Sequence, residues 1–355
     1  MAARPLARGD RAPNFFLPDH RDVIISLYDK VKGGPIVVFF YPTHARAAAE
    51  VEHVLALAKD IAEAGAHLFL VGGDPVSELV APAAALGEAG FVVFDDGAGI
   101  AAAYGVRGLT TAFLLDPNAR VLARFATGDT PLAARALDAA GAARPEPQTL
   151  ALHPPVLIIT DVLEREFCVY LIEQYQVRGN EESGTFRMVD GKMVKGPNYA
   201  VKRRRDHHVV DRDLLDRIGG TVARRVLPEI RRAFQTNITR VEEYKIVCYE
   251  ADPGGYFHVH RDNTTPQTAH RRFAMTLNLN AEDYAGGYLH FPEFGDVRYK
   301  PATGAAVIFS CNLLHEATEV TRGTRYALLS FMFDEAGHKR STARQRAMAG
   351  RAAGD

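Results

Sequence analysis

The pattern of apolar and polar positions changes character between the two halves of the chain. In the first half, short apolar runs alternate with segments of helical periodicity, in the order 36–41, 45–64 (helical), 67–71, 76–87 (helical) and 91–94. Strands separated by helices require crossover connections, and continuous apolar strands are typical of a sheet covered on both faces. Residues 112–125 then predict a hairpin, and residues 131–140 predict a closing helix. The first half is therefore predicted to be an α/β domain with a largely parallel sheet.

The second half predicts two helices followed by many short strands. The helices are expected at about 161–176 and at 212–234, the second one broken or loosened near Gly219-Gly220 and Pro228. The predicted strands cover 244–250, 256–260, 272–280, 287–291, 297–300, 305–310, 316–320 and 325–333. Short strands at near-even spacing, separated by turn residues, are typical of a sandwich or jelly roll.

The segment 186–211 between the two helices is polar and punctuated by glycine. It contains the basic run Lys202–Arg205, followed by His207-His208. We interpret this segment either as a lid over an active site, since long loops are often functional, or as a solvated surface loop. The chain lacks the broad basic field and the aromatic platform that nucleic-acid binding requires, so a nucleic-acid partner is not expected.

A stretch rich in alanine and proline marks the boundary between the halves. We therefore expect a first domain at 1–144, a linker at 145–155, a second domain at 156–335 and a tail at 336–355. The tail is rich in Ala, Gly and Arg, a composition typical of a frayed terminus.

Composition and charge narrow the class of protein. Lys plus Arg number 42 and Asp plus Glu 43, so the formal net charge of −1 favours no particular charged partner. The three cysteines, Cys168, Cys248 and Cys311, have no disulfide or zinc spacing, which indicates a reducing compartment. Neither an export signal nor a membrane span is recognisable. We expect a cytoplasmic protein with no membrane partner; an oligomer is left open.

Three segments of the first half resemble the redoxin branch of the thioredoxin fold, and peroxiredoxins in particular. They lie at residues 9–15, 38–42 and 104–116, and the resemblance spans about residues 4–140. It implies an α/β thioredoxin-like domain. Peroxiredoxins carry a low-pKa cysteine in a Pro-x-x-x-Thr-x-x-Cys segment.

The residues of peroxiredoxin chemistry are replaced in this chain. Arg46 takes the place of the threonine, Ala49 that of the cysteine, and Thr110 that of a later arginine. We therefore expect no peroxidase activity from this domain. His44 and Arg46 are interpreted either as a residual binding site or as solvated residues at a helix start.

Candidate metal ligands lie near the C-terminal end of the chain. His260 and Asp262 are separated by one residue, so in an extended chain their side chains share a face and can meet one metal. His315 can complete the set from another strand. Two histidines and one carboxylate hold one face of an octahedral metal and leave three positions open, as in non-haem Fe(II) oxygenases. His258, two residues before His260, is interpreted not as a ligand but as a residue that supports the ligands or lines the pocket wall.

The order of residues from Tyr249 to Arg325 resembles the 2-oxoglutarate and Fe(II)-dependent dioxygenases, and among them the prolyl 4-hydroxylase-like group. The resemblance covers about residues 161–334 and implies an α+β double-stranded β-helix (jelly-roll) domain with His260, Asp262 and His315 as iron ligands. It also implies that Arg325 pairs with the distal carboxylate of 2-oxoglutarate. Tyr249 would hydrogen-bond the same cosubstrate.

The resemblance implies an enzyme that uses Fe(II), 2-oxoglutarate and O2, with ascorbate as a candidate reductant. Such an enzyme hydroxylates an unactivated C–H bond of a prolyl, peptidyl or small amino-acid-like substrate and releases succinate and CO2. Two alternatives stay open. One is a noncatalytic binding protein with two degenerate domains, and the other is a thiol peroxidase that uses Cys168.

Overall fold

The computed structural model describes residues 4–31, 33–95, 99–106, 108–126, 149, 151–189, 192–265 and 267–342. The chain divides into two compact units, Met1–Gln148 and Thr149–Asp355. The closing helix expected at 131–140, residues 145–148 and 150 of the expected linker and residues 343–355 of the expected tail lie outside the described residues. Residues 335–342, at the start of that tail, are helical.

The N-terminal unit is an α/β fold built on a mixed sheet. Its elements are β1 (Phe16–Pro18), β2 (Ile24–Ser26), α1 (Leu27–Lys30), β3 (Ile36–Tyr41), α2 (His44–Ala56), α3 (Ala58–Glu63), β4 (His67–Gly72), α4 (Val80–Leu86), β5 (Gly90–Phe94), α5 (Gly99–Ala103), β6 (Thr111–Leu115) and β7 (Val121–Ala126). In the described part of this unit, five strands pair in the order β5-β4-β3-β6-β7. The thioredoxin-like fold class is confirmed.

The prediction of a largely parallel sheet is wrong for one side of this sheet. The pairs β3–β4 and β4–β5 are parallel, whereas β3–β6 and β6–β7 are antiparallel. A tight turn joins β6 to β7, and such a turn can connect only antiparallel strands. The expectation that both faces are covered is correct, since Val37 and Phe39 of β3 pack into one apolar cluster and Val38 and Phe40 into another.

The C-terminal unit combines helices with many short strands in the residues described. Its elements are β8 (Leu157–Ile159), α6 (Arg165–Val177), β9 (Glu181–Glu182), β10 (Thr185–Val189), β11 (Lys192–Gly196), β12 (Lys202–Arg203), β13 (Arg205–His208), α7 (Arg212–Arg225), α8 (Leu227–Phe234), β14 (Arg240–Val241), β15 (Lys245–Glu250), β16 (Tyr256–His260), β17 (Phe273–Asn278), β18 (Tyr284–Gly286), β19 (Leu289–His290), β20 (Arg298–Tyr299), β21 (Ala306–Ser310), β22 (His315–Ala317) and β23 (Val320–Phe333).

Two antiparallel sheets form the body of this unit, as the jelly-roll prediction requires. The larger sheet has the strand order β8-β21-β17-β23-β15-β13-β9, and the smaller one has the order β12-β16-β22-β19-β20. On β17, Met275 and Leu277 pack with the helices, whereas Ala274 joins Leu289 of the smaller sheet in a second apolar cluster. The two sheets therefore face each other, and the helices cover the outer face of the larger one.

The segment 186–211 is not the loop that its polarity suggests. It contains the hairpin β10–β11, then β12 paired with β16, and β13 paired with β15. Lys202, Asp206 and His207 are buried. In a sequence, a polar residue that is buried with a partner cannot be distinguished from one exposed to solvent. For this reason the prediction of a loop at 186–211 was wrong.

The second predicted helix is divided at one of the two expected places. Helix α7 runs through Gly219-Gly220, held by Ile218 and Val222 in the core, and a new helix, α8, starts with Pro228 in its first turn. Proline is tolerated there because the first N–H groups of a helix have no intrahelical acceptor. Among the described helices, none combines the length and the apolar character needed to span a bilayer.

Candidate metal centre

Strand pairing brings the two distant histidines side by side. His260 ends β16 and His315 begins β22, and the two residues lie opposite each other in the antiparallel pair. Asp262 lies between the rings, with Oδ1 3.4 Å from His260 Nε2 and Oδ2 3.3 Å from His315 Nε2. One ligand atom from each of the three residues lies within 4.8 Å of the others. The structure therefore brings together the pair that the spacing predicted, His260 and Asp262, and the third ligand that the resemblance implied, His315.

Backbone carbonyls orient both imidazole rings. Nδ1 of His260 is 2.7 Å from the carbonyl oxygen of His258, and Nδ1 of His315 is 2.9 Å from that of Leu313. A carbonyl only accepts hydrogen bonds, so each Nδ1 carries the proton and each Nε2 turns a lone pair toward Asp262. This is the tautomer in which a histidine can ligate a metal through Nε2.

The protonation states also suit ligation. Burial lowers the pKa of His315, against the opposing charge of Asp262, and this favours the neutral ring. Burial raises the pKa of Asp262, but its contacts with His260, His315 and Arg271 outweigh this effect and hold the pKa below its usual value. Two neutral imidazoles and one carboxylate are the donor set that a non-haem Fe(II) site uses.

An irregularity in β16 turns His258 away from the triad. The register shifts between Phe257 and His260, and the rings of these two residues stack 3.5 Å apart in the cavity. The exposed ring of His258 stacks instead on Tyr256, at 4.3 Å. The side chain of His258 therefore does not line the pocket, and of the two roles expected for this residue the supporting one fits, because its carbonyl orients His260.

A cavity beside the triad lies between the two sheets. Its apolar wall includes Phe257, Leu289, Phe309 and Phe331. The polar groups that reach it, besides the triad, come from four residues: Arg204, Tyr249, Thr276 and Arg325. A cavity with mostly apolar walls and a few convergent polar groups is typical of a small-molecule site.

Arg325 is buried, and no carboxylate among the described residues forms an ion pair with it. Its side chain lies opposite Tyr249 across β15 and β23, with Cζ 5.1 Å from the centre of the tyrosine ring. Nη2 donates a hydrogen bond to Thr276 Oγ1 at 3.4 Å, and Nε is buried with no hydrogen-bond partner in the part of the chain that the structure describes. A buried, incompletely paired guanidinium is costly, so this place favours an incoming carboxylate.

Arg204 is a site residue that sequence reasoning missed. Its Nη1 donates to the hydroxyl of Tyr249 at 3.2 Å, and its Nε lies 2.9 Å from Asp206 Oδ1. Asp206 is anchored in turn by the hydroxyl of Ser183, at 2.7 Å. Arg204 and Asp206 are two residues apart, the spacing of one strand face, but this signal was hidden in a run interpreted as a loop.

The other candidate residues have structural partners in the described chain. Three histidines have partners elsewhere: Nδ1 of His207 is 2.7 Å from the Gly179 carbonyl oxygen, Nε2 of His270 is 2.9 Å from Glu242 Oε1, and Nδ1 of His290 is 2.8 Å from Glu316 Oε1. The thiol of Cys311 is buried. The backbone carbonyl of Cys311 accepts a hydrogen bond from the backbone N–H of Asp262.

In the N-terminal unit, a carboxylate of the protein occupies the start of helix α2, where His44 and Arg46 lie. The carboxylate of Asp74 accepts the backbone N–H of His44, at 2.8 and 3.0 Å, where α2 begins. Arg46 and Ala49 are exposed. Asp74 takes the position that an anionic ligand would need, so of the two interpretations of His44 and Arg46, that of helix-start residues fits the geometry.

Two family models match the chain, one in each unit. Residues 244–333 match the 2OG-Fe(II) oxygenase superfamily, and residues 8–124 match the AhpC/TSA family. The C-terminal unit thus carries an oxygenase domain of that superfamily, and the N-terminal unit carries a redoxin domain. Both resemblances seen in the sequence are confirmed.

Curated relatives are PKHD-type hydroxylases. One from Shewanella frigidimarina is 31% identical over 143 residues, which are 39% of this chain and 61% of that protein. One from Alteromonas mediterranea is 31% identical over 123 residues, 34% of this chain and 52% of that protein. One from Synechococcus sp. is 37% identical over 93 residues, 24% of this chain and 41% of that protein. The chain therefore spans about half the length of the curated relatives it matches.

Solved structures similar to parts of the chain include a peroxidoxin and two prolyl hydroxylases. The peroxidoxin BcpB of Mycobacterium tuberculosis is 27% identical, with a TM-score of 0.36, over 39% of this chain and 99% of that one. The viral collagen prolyl hydroxylase of Paramecium bursaria Chlorella virus-1, in complex with 2OG, is 15% identical, with a TM-score of 0.36, over 50% of this chain and 94% of that one. A prolyl-4-hydroxylase of Pseudomonas putida is 14% identical, with a TM-score of 0.36, over 51% of this chain and 94% of that one.

Proposed function

We propose that this chain is a Fe(II)- and 2-oxoglutarate-dependent oxygenase that hydroxylates an unactivated C–H bond and releases succinate and CO2. The observation that carries the proposal is one cavity in which His260, Asp262 and His315 converge and Arg325 lies buried without an anion. The donor set suits Fe(II), and the guanidinium suits a dicarboxylate cosubstrate.

The triad would hold the metal with little rearrangement. His260 and His315 present Nε2 in the tautomer that their carbonyl partners select, and Asp262 presents both carboxylate oxygens between them. When bound, Fe(II) supplies the activation of O2 that is coupled to the oxidative decarboxylation of 2-oxoglutarate. The chain contributes ligands whose orientation and protonation are prepared in advance.

Arg325, Thr276 and Tyr249 would bind the distal carboxylate of 2-oxoglutarate. The guanidinium offers a planar fork of donors that matches a carboxylate, and Thr276 lies within hydrogen-bond reach of it. The oxygen of Tyr249 accepts from Arg204, so its own O–H is left to donate into the cavity. Arg204 therefore acts as a positioning residue that sets the direction of the tyrosine hydroxyl.

The apolar wall has a separate task, which is to exclude water. Phe257 stacks on His260, and Phe309 contacts His315 with ring centres 4.6 Å apart. A dry wall strengthens the electrostatic contacts inside the site and protects reactive species from side reactions.

The substrate class follows from resemblance, and we propose a prolyl or other peptidyl residue, or a small amino-acid-like molecule. The test is succinate formation from 2-oxoglutarate under air, with added Fe(II) and with or without ascorbate, across a panel of proline-containing peptides and free amino acids. We expect substrate-stimulated succinate in the wild-type chain, loss of it in Asp262→Ala and no loss in His208→Ala, whose ring is bound to Glu243 outside the cavity.

Full turnover by Asp262→Ala would overturn the proposal. Metal and 2-oxoglutarate that bind under anaerobic conditions without any turnover on the panel would favour the noncatalytic alternative instead.

A further inference from the structure

We infer that Arg261 and Glu293 form a clamp that holds the two ligand-bearing segments, 260–262 and 313–315, in register for metal binding. This inference rests on the proposed function, because it concerns the same triad. Neither side chain lines the cavity. Both would act as positioning residues, through the backbone on which the ligands sit.

The ion pair crosses from one segment to the other. Arg261 stands between two ligands, His260 and Asp262, and its Nη2 lies 2.7 Å from Oε1 of Glu293. The other carboxylate oxygen of Glu293 accepts the backbone N–H of Leu314 at 2.9 Å. Arg261 also donates through Nη1 to the carbonyl of Asn312. The clamp thus joins the His-x-Asp segment to the residue directly before His315 and to the turn that precedes it.

The segment held by Glu293 is also the one that orients His315. The carbonyl of Leu313 accepts from Nδ1 of His315, and the next residue, Leu314, donates its N–H to Glu293. Glu293 itself stands on the short 3-10 turn Pro292–Phe294, directly after Phe291, which is buried against Phe309. The clamp is therefore anchored in the core and reaches the ring of His315 through two hydrogen bonds, one from the Leu314 N–H to Glu293 and one from His315 Nδ1 to the Leu313 carbonyl.

The expected effect is on metal affinity more than on stability. The side chains of Arg261 and Glu293 are 32% and 37% exposed, and ion pairs this exposed contribute little to folding. A metal, however, needs its three donors together, and groups that orient ligands typically change metal affinity by about 10- to 100-fold. Since this clamp acts through the backbone, we expect the lower end, about tenfold.

The test is the dissociation constant for Co(II), without O2 or 2-oxoglutarate, measured by calorimetry and by the visible absorption of the bound ion. We compare wild type, Glu293→Ala and Arg261→Met, which removes the charge and keeps the apolar stem. The matched control is Glu282→Ala, which removes a surface pair with Arg165 at 3.2 Å away from the cavity. Thermal unfolding of every variant is followed in parallel.

We expect both clamp variants to bind Co(II) about tenfold more weakly, with unfolding temperatures close to that of Glu282→Ala. Wild-type affinity in a folded clamp variant would overturn the clamp alone. If Glu293→Ala does not fold, Arg261→Met decides the question. A wild-type chain that binds Co(II) no more tightly than His315→Ala would overturn the proposed function, and the clamp with it.

Discussion

Tyr249 lies directly opposite Arg325 across β15 and β23, and the guanidinium carbon is 5.1 Å from the centre of the tyrosine ring. A second guanidinium, that of Arg204, lies 6.0 Å from the same ring and donates to its hydroxyl. Both arginines reach the cavity that contains the triad. One tyrosine thus links two cations in the place where the proposed cosubstrate would put its distal carboxylate.

Replacing Arg325 by lysine should weaken 2-oxoglutarate binding while preserving the charge. Lysine offers a point charge without the planar fork, so at least one charged hydrogen bond is lost, which corresponds to about 10- to 100-fold in affinity. The measurement is the KM for 2-oxoglutarate, together with its anaerobic dissociation constant in the presence of metal. The control is Arg322→Lys, an exposed position on the same strand. Unchanged binding in Arg325→Lys would place the distal carboxylate elsewhere.

Arg204 and Tyr249 should act as one unit. Tyr249→Phe removes the hydroxyl that Arg204 directs, and we expect the KM for 2-oxoglutarate to rise about tenfold, as for the loss of one hydrogen bond to a charged group. Arg204→Met in the Tyr249→Phe background should then add little further to the KM for 2-oxoglutarate, because the hydroxyl that Arg204 orients is already gone; the loss of its pair with Asp206 is followed separately by thermal unfolding. A double-mutant cycle measures this coupling, and Arg205→Met, an exposed neighbour, is the control. Strictly additive effects would mean that the two residues act independently.

Asp206 should stabilise the fold in a pH-dependent way. Burial raises the pKa of its carboxyl, but the charge of Arg204 and the hydrogen bond from Ser183 bring the pKa below its ordinary value of 3.8. A lowered pKa means that the ion pair contributes fully above the unfolded-state pKa and is lost as the pH falls through the folded-state pKa.

For Asp206→Asn we therefore expect a loss of about 3 kcal/mol in unfolding free energy at pH 7, as for one partner removed from a buried pair. The difference in unfolding free energy between wild type and Asp206→Asn should stay constant between pH 7 and pH 5, because both values lie above the unfolded-state pKa. It should shrink below pH 3.8. Hydrogen exchange of the β13 and β15 amides measures the same loss of stability locally, around Asp206. A gap that already narrows between pH 7 and pH 5 would contradict a lowered pKa.

The cysteines should be unreactive in the folded chain. Burial raises the pKa of Cys168 to about 12 and that of Cys248 to about 11, and it also raises the pKa of Cys311. Only the thiolate is nucleophilic, so a thiol reagent at neutral pH should label none of the three before unfolding and all three afterwards. Hydrogen peroxide consumption should match that of Cys168→Ala. Fast consumption that this substitution abolishes would revive the thiol-peroxidase alternative.

Local sequence determined much of the secondary structure and part of the site. The fully apolar run at 36–41 predicted a strand covered on both faces, and the sequence also predicted a strand at 272–280, which the structure has at Phe273–Asn278. The one-residue spacing of His260 and Asp262 placed both side chains at one point, because an extended chain has a period of two. The period of apolar positions indicates which residues are buried, and the two strands follow from that pattern. The shared face of His260 and Asp262 follows from the extended backbone alone.

Only the tertiary structure decided which polar residues meet. His315 reaches His260 because β16 pairs with β22, and the register shift in β16 turns the side chain of His258 out of the site. Arg204 entered the cavity because the run 202–208 pairs as strands and buries Asp206 beside it. A buried polar side chain with a partner looks the same in sequence as a solvated one, since the partner comes from a strand distant along the chain. For this reason the residues of the site that lie far apart in sequence could be named only from resemblance or from the fold.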